Sequence, residues 1–284
     1  SRFAESTGEE FAEAFNKLKK KGMTQLILDL SDNGGGYLNT AVELANTFLR
    51  AGETIVYTEG NRSPRYDAVA NGKGGYKDGK LVVLVNQYSA SASEILAGAV
   101  QDWDRGVVVG RRTFGKGLVQ RPFTFEDGSM MRLTTARYYT PSGRCIQKPY
   151  KMGEKADYAK DVYNRYKDGE LQHADSIHVA DSLKYTTLKN ERIIYGGGGI
   201  IPDVFVPIDT TEYSDYYGKL NTKGVFIQYT LGYIDKNRDS LKAKYKDVNE
   251  FDAGFKVSDE MIQDLISQGE KAGVKYNEEQ YKIS

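Results

Sequence analysis

Apolar residues recur along this chain in three rhythms, and each predicts a different element. Phe11, Phe15 and Leu18 fall at helical spacing behind Thr7 and Glu10, which have the form of a capping box, and Gly22 closes that helix. QLILDL (25–30) is a continuous apolar run, the form of a strand buried in a parallel sheet. It leads into SDNGGG, a loop of three consecutive glycines. Thr40 and Glu43 repeat the capping-box form, and AVELANTFLR predicts a second helix ending before Gly52. TIVYTE (54–59) reads as a strand, and residues 60–80, rich in Gly, Lys, Asn and Asp, as a long polar loop. LVVLVN (81–86) is another buried strand, SASASEILAGAVQDW continues as a helix, and GVVVG (106–110) is a short strand. From Gly117 to Thr140 the third rhythm, strict alternation about Asp127-Gly128, predicts a β-hairpin.

Beyond Pro141 the periodicity weakens. Residues 150–192 are polar and highly charged, the composition of an insertion with some local helix or hairpin. IIYGGGGIIPDVFVPID (193–209) returns to strand character around four glycines. From Thr210 onward the pattern is helical, with Phe226, Tyr229 and Tyr233 on one face and Met261 and Leu265 on another. The chain thus predicts an α/β core over residues 1–209, interrupted by the charged insertion, and a helical C-terminal extension over 210–284. No internal repeat or low-complexity tract interrupts this plan.

Charge changes the picture by exclusion. Lys+Arg and Asp+Glu are equal at 39 each, so the chain lacks the electrostatic footprint of a nucleic-acid binder. No apolar run approaches the ~20 residues that span a bilayer, and no signal peptide opens the chain. The first residues, SRFAESTGEEF, run directly onto a helix, as in a fragment whose upstream part has been removed. The single cysteine, Cys145, excludes an intrachain disulfide and a Cys-based zinc site. Only two histidines are present, His173 and His178.

Three short stretches carry candidate chemistry. GRRTFGKG (110–117) is one residue short of a phosphate-binding P-loop, with Gly117 where a magnesium-binding Ser or Thr belongs. Its lysine is followed by a hairpin arm, whereas a P-loop needs a helix whose free N–H groups hold the phosphates. SASASE (89–94) lies at a strand-to-helix turn. Ser91 and Glu94 have capping-box spacing, so Ser91 reads equally as an N-cap and as a hydroxyl beside free N–H groups, where an oxyanion would be stabilised. DNGGG (32–36) reads as a turn, or as a loop offering Gly35 or Gly36 N–H as a second oxyanion donor beside that of Ala92. It lacks the G-x-G-x-x-G pattern of dinucleotide loops.

A serine nucleophile needs a base. His173 and His178 sit in LQHADSIHVAD, which reads as solvated surface. The remaining base is a lysine made neutral by burial. Lys116, between two glycines and followed by Leu118 and Val119, is the candidate, with Gln120 placed to orient its amine.

LILDLSDNGGGYLNTAVELA, LVVLVNQYSASASEILAGAVQD, VVVGRRTFGKGLVQ and GGGIIPD, in this order, resemble the C-terminal processing (tail-specific) serine peptidases over about residues 3–209. The resemblance implies the ββα superhelical core shared with Clp protease and crotonase. It implies Ser91, rather than Ser89 or Ser93, as nucleophile, Lys116 as base and Gln120 as its assistant. Ala92 and Gly36 match the family's oxyanion donors. It further implies protein or peptide substrates cut near their C-termini, no cofactor or metal, an upstream PDZ domain, and a periplasmic or cell-envelope location. Ser31 departs from the family's usual Arg. Two other readings stay open: a catalytically silent peptide-binding member of the fold, and a nucleotide-dependent enzyme.

Overall fold

The structure, a computed structural model, describes residues 2–150, 155–211 and 213–283. It divides into two compact units, 1–207 and 208–284. In the first, the order is α1 (Thr7–Lys20), β1 (Gln25–Asp29), α2 (Leu38–Phe48), β2 (Thr54–Gly60), β3 (Ser63–Val69), β4 (Lys80–Val85), α3 (Ala92–Asp102), β5 (Val107–Gly110), β6 (Leu118–Thr124) and β7 (Met130–Tyr139). After these come α4 (Lys155–Lys167), β8 (Lys184–Thr186), β9 (Ile193–Tyr195) and β10 (Val204–Phe205).

The three apolar runs build one parallel sheet in the order β1-β4-β5-β10, with Leu28 beside Val83 and Leu84 beside Val109. β4 and β5 are central and bury Leu81, Val83, Val85 and Val108. β1 departs from the expectation of a strand covered on both faces. It lies at the sheet edge and alternates, with Leu26 and Leu28 packed on the core and Ile27 66% exposed. A second, antiparallel sheet runs β3-β2-β7-β6, and the hairpin β6–β7 turns around Asp127-Gly128 as the alternation predicts. β3 occupies part of the stretch read as a polar loop. Its side chains are mostly exposed, so it has no apolar signature, and backbone pairing to β2 makes it a strand.

α3 is the centre of the unit, and all eleven of its residues are buried. Ala97, Ala99 and Val100 of α3 and Ala41, Leu44, Ala45 and Phe48 of α2 belong to one continuous core with Phe3, Phe15 and Ile55. Neither of the first two capping boxes forms as the spacing suggests. Thr7 accepts from Ala4 N–H, and Ser6 donates to Glu10. Thr40 is already inside α2 and donates its hydroxyl to Ala4 O. Both threonines are used to hold residue 4 rather than a helix end.

The charged insertion is more than solvated surface, although residues 151–154 lie outside the described part. Arg165 of α4 is buried, pairs with Glu170 at 2.7 Å, and donates to the carbonyls of Arg112 and Thr113 at 2.6 and 3.0 Å. Lys148 is likewise buried, 3.0 Å from Asp161 and flanked by the rings of Phe114 and Tyr158. Burial pushes the Lys148 amine below its ordinary range, against the opposing pull of Asp161. α4 is therefore fastened to the loop that carries Lys116.

The second unit is helical: α5 (Asp215–Thr222), α6 (Val225–Lys244), α7 (Val248–Gly254), α8 (Asp259–Lys271) and α9 (Glu278–Tyr281). Tyr216, Leu220, Val225 and Val274 form its core. Phe226, Tyr229 and Tyr233 of α6 and Met261 and Leu265 of α8 line a single apolar cavity of about 260 Å³.

Candidate active site

The turn from β4 into α3 treats its three serines differently. Ser89 is fully buried and its hydroxyl donates to Leu30 O at 2.7 Å. Ser93 is fully buried and donates to Asn33 O at 2.8 Å. Both thereby fasten the turn to the loop that follows β1. Ser91, between them, is half-buried and lines an open cleft. It takes φ 56° and ψ −111°, a conformation that residues other than glycine adopt at a cost. Ser91 and Glu94 have the form of a capping box. Its carboxylate half closes at 2.7 Å, from Ser91 N–H to Glu94.

Glu94 does far more than cap a helix. It is fully buried, and four donors converge on its two oxygens. Oε2 accepts from Ser91 N–H at 2.7 Å and Lys116 N–H at 2.8 Å. Oε1 accepts from Thr113 Oγ1 and Gly115 N–H, both at 2.6 Å. Burial pushes the carboxyl above its ordinary range, opposed by these four bonds. One carboxylate thus fixes the backbone of Ser91 and of Lys116 relative to each other. It also occupies the N–H groups of Gly115 and Lys116 that a P-loop would offer a phosphate, and the chain after Lys116 enters β6 rather than a helix.

The glycine loop packs against the same turn. An ideal Cβ on Gly35 would lie 2.7 Å from Ser91 Cβ and 2.9 Å from Ala92 N, and Gly35 has φ +89°, so no other residue fits there without displacing the loop. Asn33 joins the two segments. Its carbonyl accepts from Ala90 N–H and from Ser93, and its side-chain oxygen accepts from Gly35 N–H at 3.0 Å. Gly35 N–H is therefore spent, which removes Gly35 from the expected oxyanion donors. Among the described residues the N–H groups of Gly36 and Ala92 have no acceptor.

The cleft has a volume of about 900 Å³. Gly36, Ser91, Lys116, Leu118, Gln120 and Arg132 are among its walls, so the structure brings three sequence-chosen side chains, Ser91, Lys116 and Gln120, to one cavity. It corrects one expectation: Lys116 is exposed, not buried, and Gln120 is exposed as well. The flanking glycines and the apolar Leu118 and Val119 do not cover the amine, because the cleft is open on that side. Among the described residues neither side chain has a hydrogen-bond partner. His173 and His178 are exposed and neither lines the cleft.

The sequence model of peptidase family S41 matches residues 1–159, more than half of the 284. The chain belongs to peptidase family S41. A second model, a family of unknown function (DUF8443), matches residues 216–284. The carboxyl-terminal-processing protease of Picosynechococcus sp. is 44% identical over 148 residues, covering 52% of this chain and 35% of that protein. The probable CtpA-like serine protease of Staphylococcus aureus is 38% identical over 187 residues, covering 65% of this chain and 37% of that protein. The chain spans about a third of the length of the curated relatives it matches. Among solved structures, a photosystem II D1 C-terminal processing protease aligns with a TM-score of 0.49 at 40% identity, over 51% of this chain and 38% of that one.

Two contributors were hidden from sequence reasoning. Glu94 was visible only as a helix cap, because three of its four donors come from residues 113–116, across a strand and a turn. Asn33 carried no signal beyond its place beside the glycines.

Proposed function

We propose that this S41 peptidase cleaves peptide bonds near the C-termini of protein substrates, with Ser91 as nucleophile and Lys116 as general base. The observation that carries this reading is the division of labour in SASAS. Ser89 and Ser93 are consumed by structure, while Ser91 stands at a strained turn in the cleft that also holds Lys116 and Gln120.

In this reading the neutral Lys116 amine takes the Ser91 hydroxyl proton as Oγ attacks the scissile carbonyl carbon. The carbonyl oxygen becomes an oxyanion held by Ala92 N–H at the start of α3 and by Gly36 N–H. The ammonium then returns its proton to the leaving amine, giving an acyl-enzyme that water hydrolyses by the same route. With substrate in the cleft, Gln120 orients the amine. A peptide lying in the cleft covers Lys116 and strips its water, which favours the uncharged form. Cleavage accordingly rises with pH. An upstream PDZ domain for tail capture and a periplasmic or envelope location follow from the family resemblance. Among the described residues no helix is long and apolar enough to cross a membrane.

The test combines labelling with a serine-reactive fluorophosphonate and peptide cleavage by wild type, Ser91→Ala and Lys116→Arg, with circular dichroism as the folding control. Wild type should be labelled at Ser91 and both variants should lose turnover by orders of magnitude, since arginine keeps its proton. A folded Lys116→Arg that still cleaves would rule out lysine as the base. A wild type that binds peptide but resists labelling would favour the silent, peptide-binding reading instead.

A further inference from the structure

We propose that Phe3 is a positioning residue for the oxyanion loop: its buried side chain anchors a short strap whose backbone brackets Gly36 and sets the direction of that residue's N–H. The proposal rests on the reading of Ser91 as nucleophile and Gly36 as a donor.

The strap is residues 2–4. Phe3 N–H donates to Gly35 O at 2.9 Å, and Tyr37 N–H donates to Phe3 O at 3.0 Å, forming an isolated parallel bridge between Phe3 and Gly36. In such a pairing the bracketed residue's own N–H is not used by the partner strand. Gly36 N–H is accordingly left over, and it has no acceptor among the described residues. The approach is close: an ideal Cβ on Gly36 would lie 2.0 Å from Phe3 O, and Gly36 has φ +154°. Whatever moves Phe3 must therefore move Gly36.

Two bridge bonds alone do not hold a chain segment, and the strap has further anchors. The Phe3 side chain is 2% exposed and belongs to the main core. Ala4 N–H donates to Thr7 Oγ1 at 3.0 Å, and the buried Thr40 hydroxyl donates to Ala4 O at 3.2 Å. The first helix, the second helix and the core thus all fix the strap, and the strap fixes the loop. Residues 2–6 themselves line the cleft, so the strap forms a wall of the site it orders. Phe3 touches the oxyanion only through Gly36, which makes it a positioning residue rather than a catalytic one.

A positioning role and a merely structural one differ in what they do to kinetics. Losing a correctly aimed oxyanion donor raises the transition state alone, whereas loss of stability lowers only the amount of folded enzyme. Phe3→Ala, Phe3→Leu and Thr40→Val should be compared with wild type for kcat, KM and affinity for a peptide boronate, whose adduct places an oxygen at the oxyanion position. In folded Phe3→Ala, kcat should fall roughly 10- to 1,000-fold with KM within about threefold, and boronate affinity should fall with kcat. Phe3→Leu, which keeps an apolar anchor, should recover most of the loss. Unchanged kcat in folded Phe3→Ala, or a loss through KM alone, overturns the proposal. Should Phe3→Ala fail to fold, Thr40→Val decides: it removes only the tie to Ala4, and a kcat drop of several-fold at constant KM supports the strap, while no change overturns it. A wild type without Ser91-dependent fluorophosphonate labelling overturns the underlying reading and the proposal together, whereas the variants overturn only the proposal.

Discussion

Replacing Glu94 by glutamine tests whether one carboxylate holds the nucleophile turn and the lysine loop in register. The side chain keeps its size, but one of its oxygens becomes an amide nitrogen that cannot accept. At the Oε2 position that nitrogen would face two backbone N–H groups, of Ser91 and Lys116, neither of which can turn away. At Oε1 it would face Gly115 N–H and the Thr113 hydroxyl. The hydroxyl can rotate to accept, although it already accepts from Ile200 N–H at 2.7 Å. The amide therefore settles with its nitrogen at Oε1, leaving Gly115 N–H orphaned. One buried orphan costs about 1–3 kcal/mol, and the three remaining bonds each lose their charge-assisted share. Relief from burying a carboxylate offsets part of that sum.

The net expectation is a loss of about 2–4 kcal/mol, which for a unit of this size lowers Tm by roughly 5–15 °C. Turnover should fall by about 100-fold or more, because a displacement near 1 Å between reacting groups suffices for that. KM should move little, since Glu94 does not line the cleft. Thermal melting followed by circular dichroism and steady-state peptide cleavage read the two effects separately. Glu94→Gln melting within about 1 °C of the parent and cleaving normally would refute the reasoning.

Gly35→Ala should lower kcat about 100- to 1,000-fold with little change in KM, because its Cβ meets backbone and Ser91 Cβ and pushes the Gly36 donor out of place; an active, folded variant would remove the glycine loop from the site. Ser89→Ala and Ser93→Ala should each lower Tm by several degrees through a lost buried hydrogen bond while keeping fluorophosphonate labelling, and loss of labelling in both would undo the assignment to Ser91. Acid stability offers a separate check: burial alone would raise the Asp104 carboxyl, but Arg192, Asn190 N–H and Thr187 hold it below its ordinary range. Its contribution is therefore present above the unfolded carboxylate range and lost as pH falls through the folded value, so Arg192→Gln should move the acid-unfolding midpoint to higher pH.

The apolar runs gave away β4, β5 and the central helix because their buried positions write themselves as composition. QLILDL looked equally buried, yet its surroundings decide that Ile27 faces out, and no local pattern records which strand is the edge. β3 escaped notice because backbone pairing, which does not depend on apolar side chains, makes it a strand. Thr7 and Thr40 looked like helix caps, since a hydroxyl at the right spacing is the same whether it serves a helix end or a distant carbonyl. The cleft residues Ser91, Lys116 and Gln120 were legible from chemistry: few side chains can serve as nucleophile and base. The exposure of Lys116 was not, because glycines and apolar neighbours fix backbone shape without deciding what covers a side chain.

The conformation of Ser91 is the remaining clue that this turn is built for more than connection. Its φ of 56° with ψ of −111° costs a non-glycine residue about 1–3 kcal/mol. Ser91 bears that cost between Ser89 and Ser93, whose buried hydrogen bonds clamp the turn on either side, and above Glu94, which takes its N–H. If the turn only joined β4 to α3, glycine would serve better. Ser91→Gly should therefore remove the strain and raise Tm by about 2–8 °C, while Ser91→Ala, which keeps the Cβ, should leave Tm nearly unchanged. Both should be inert to fluorophosphonate. A stabilised, inactive glycine variant is what a residue kept under strain for its hydroxyl produces. A glycine variant that melts lower than wild type would mean that the hydroxyl helps to hold the turn and that Ser91 is a structural cap after all.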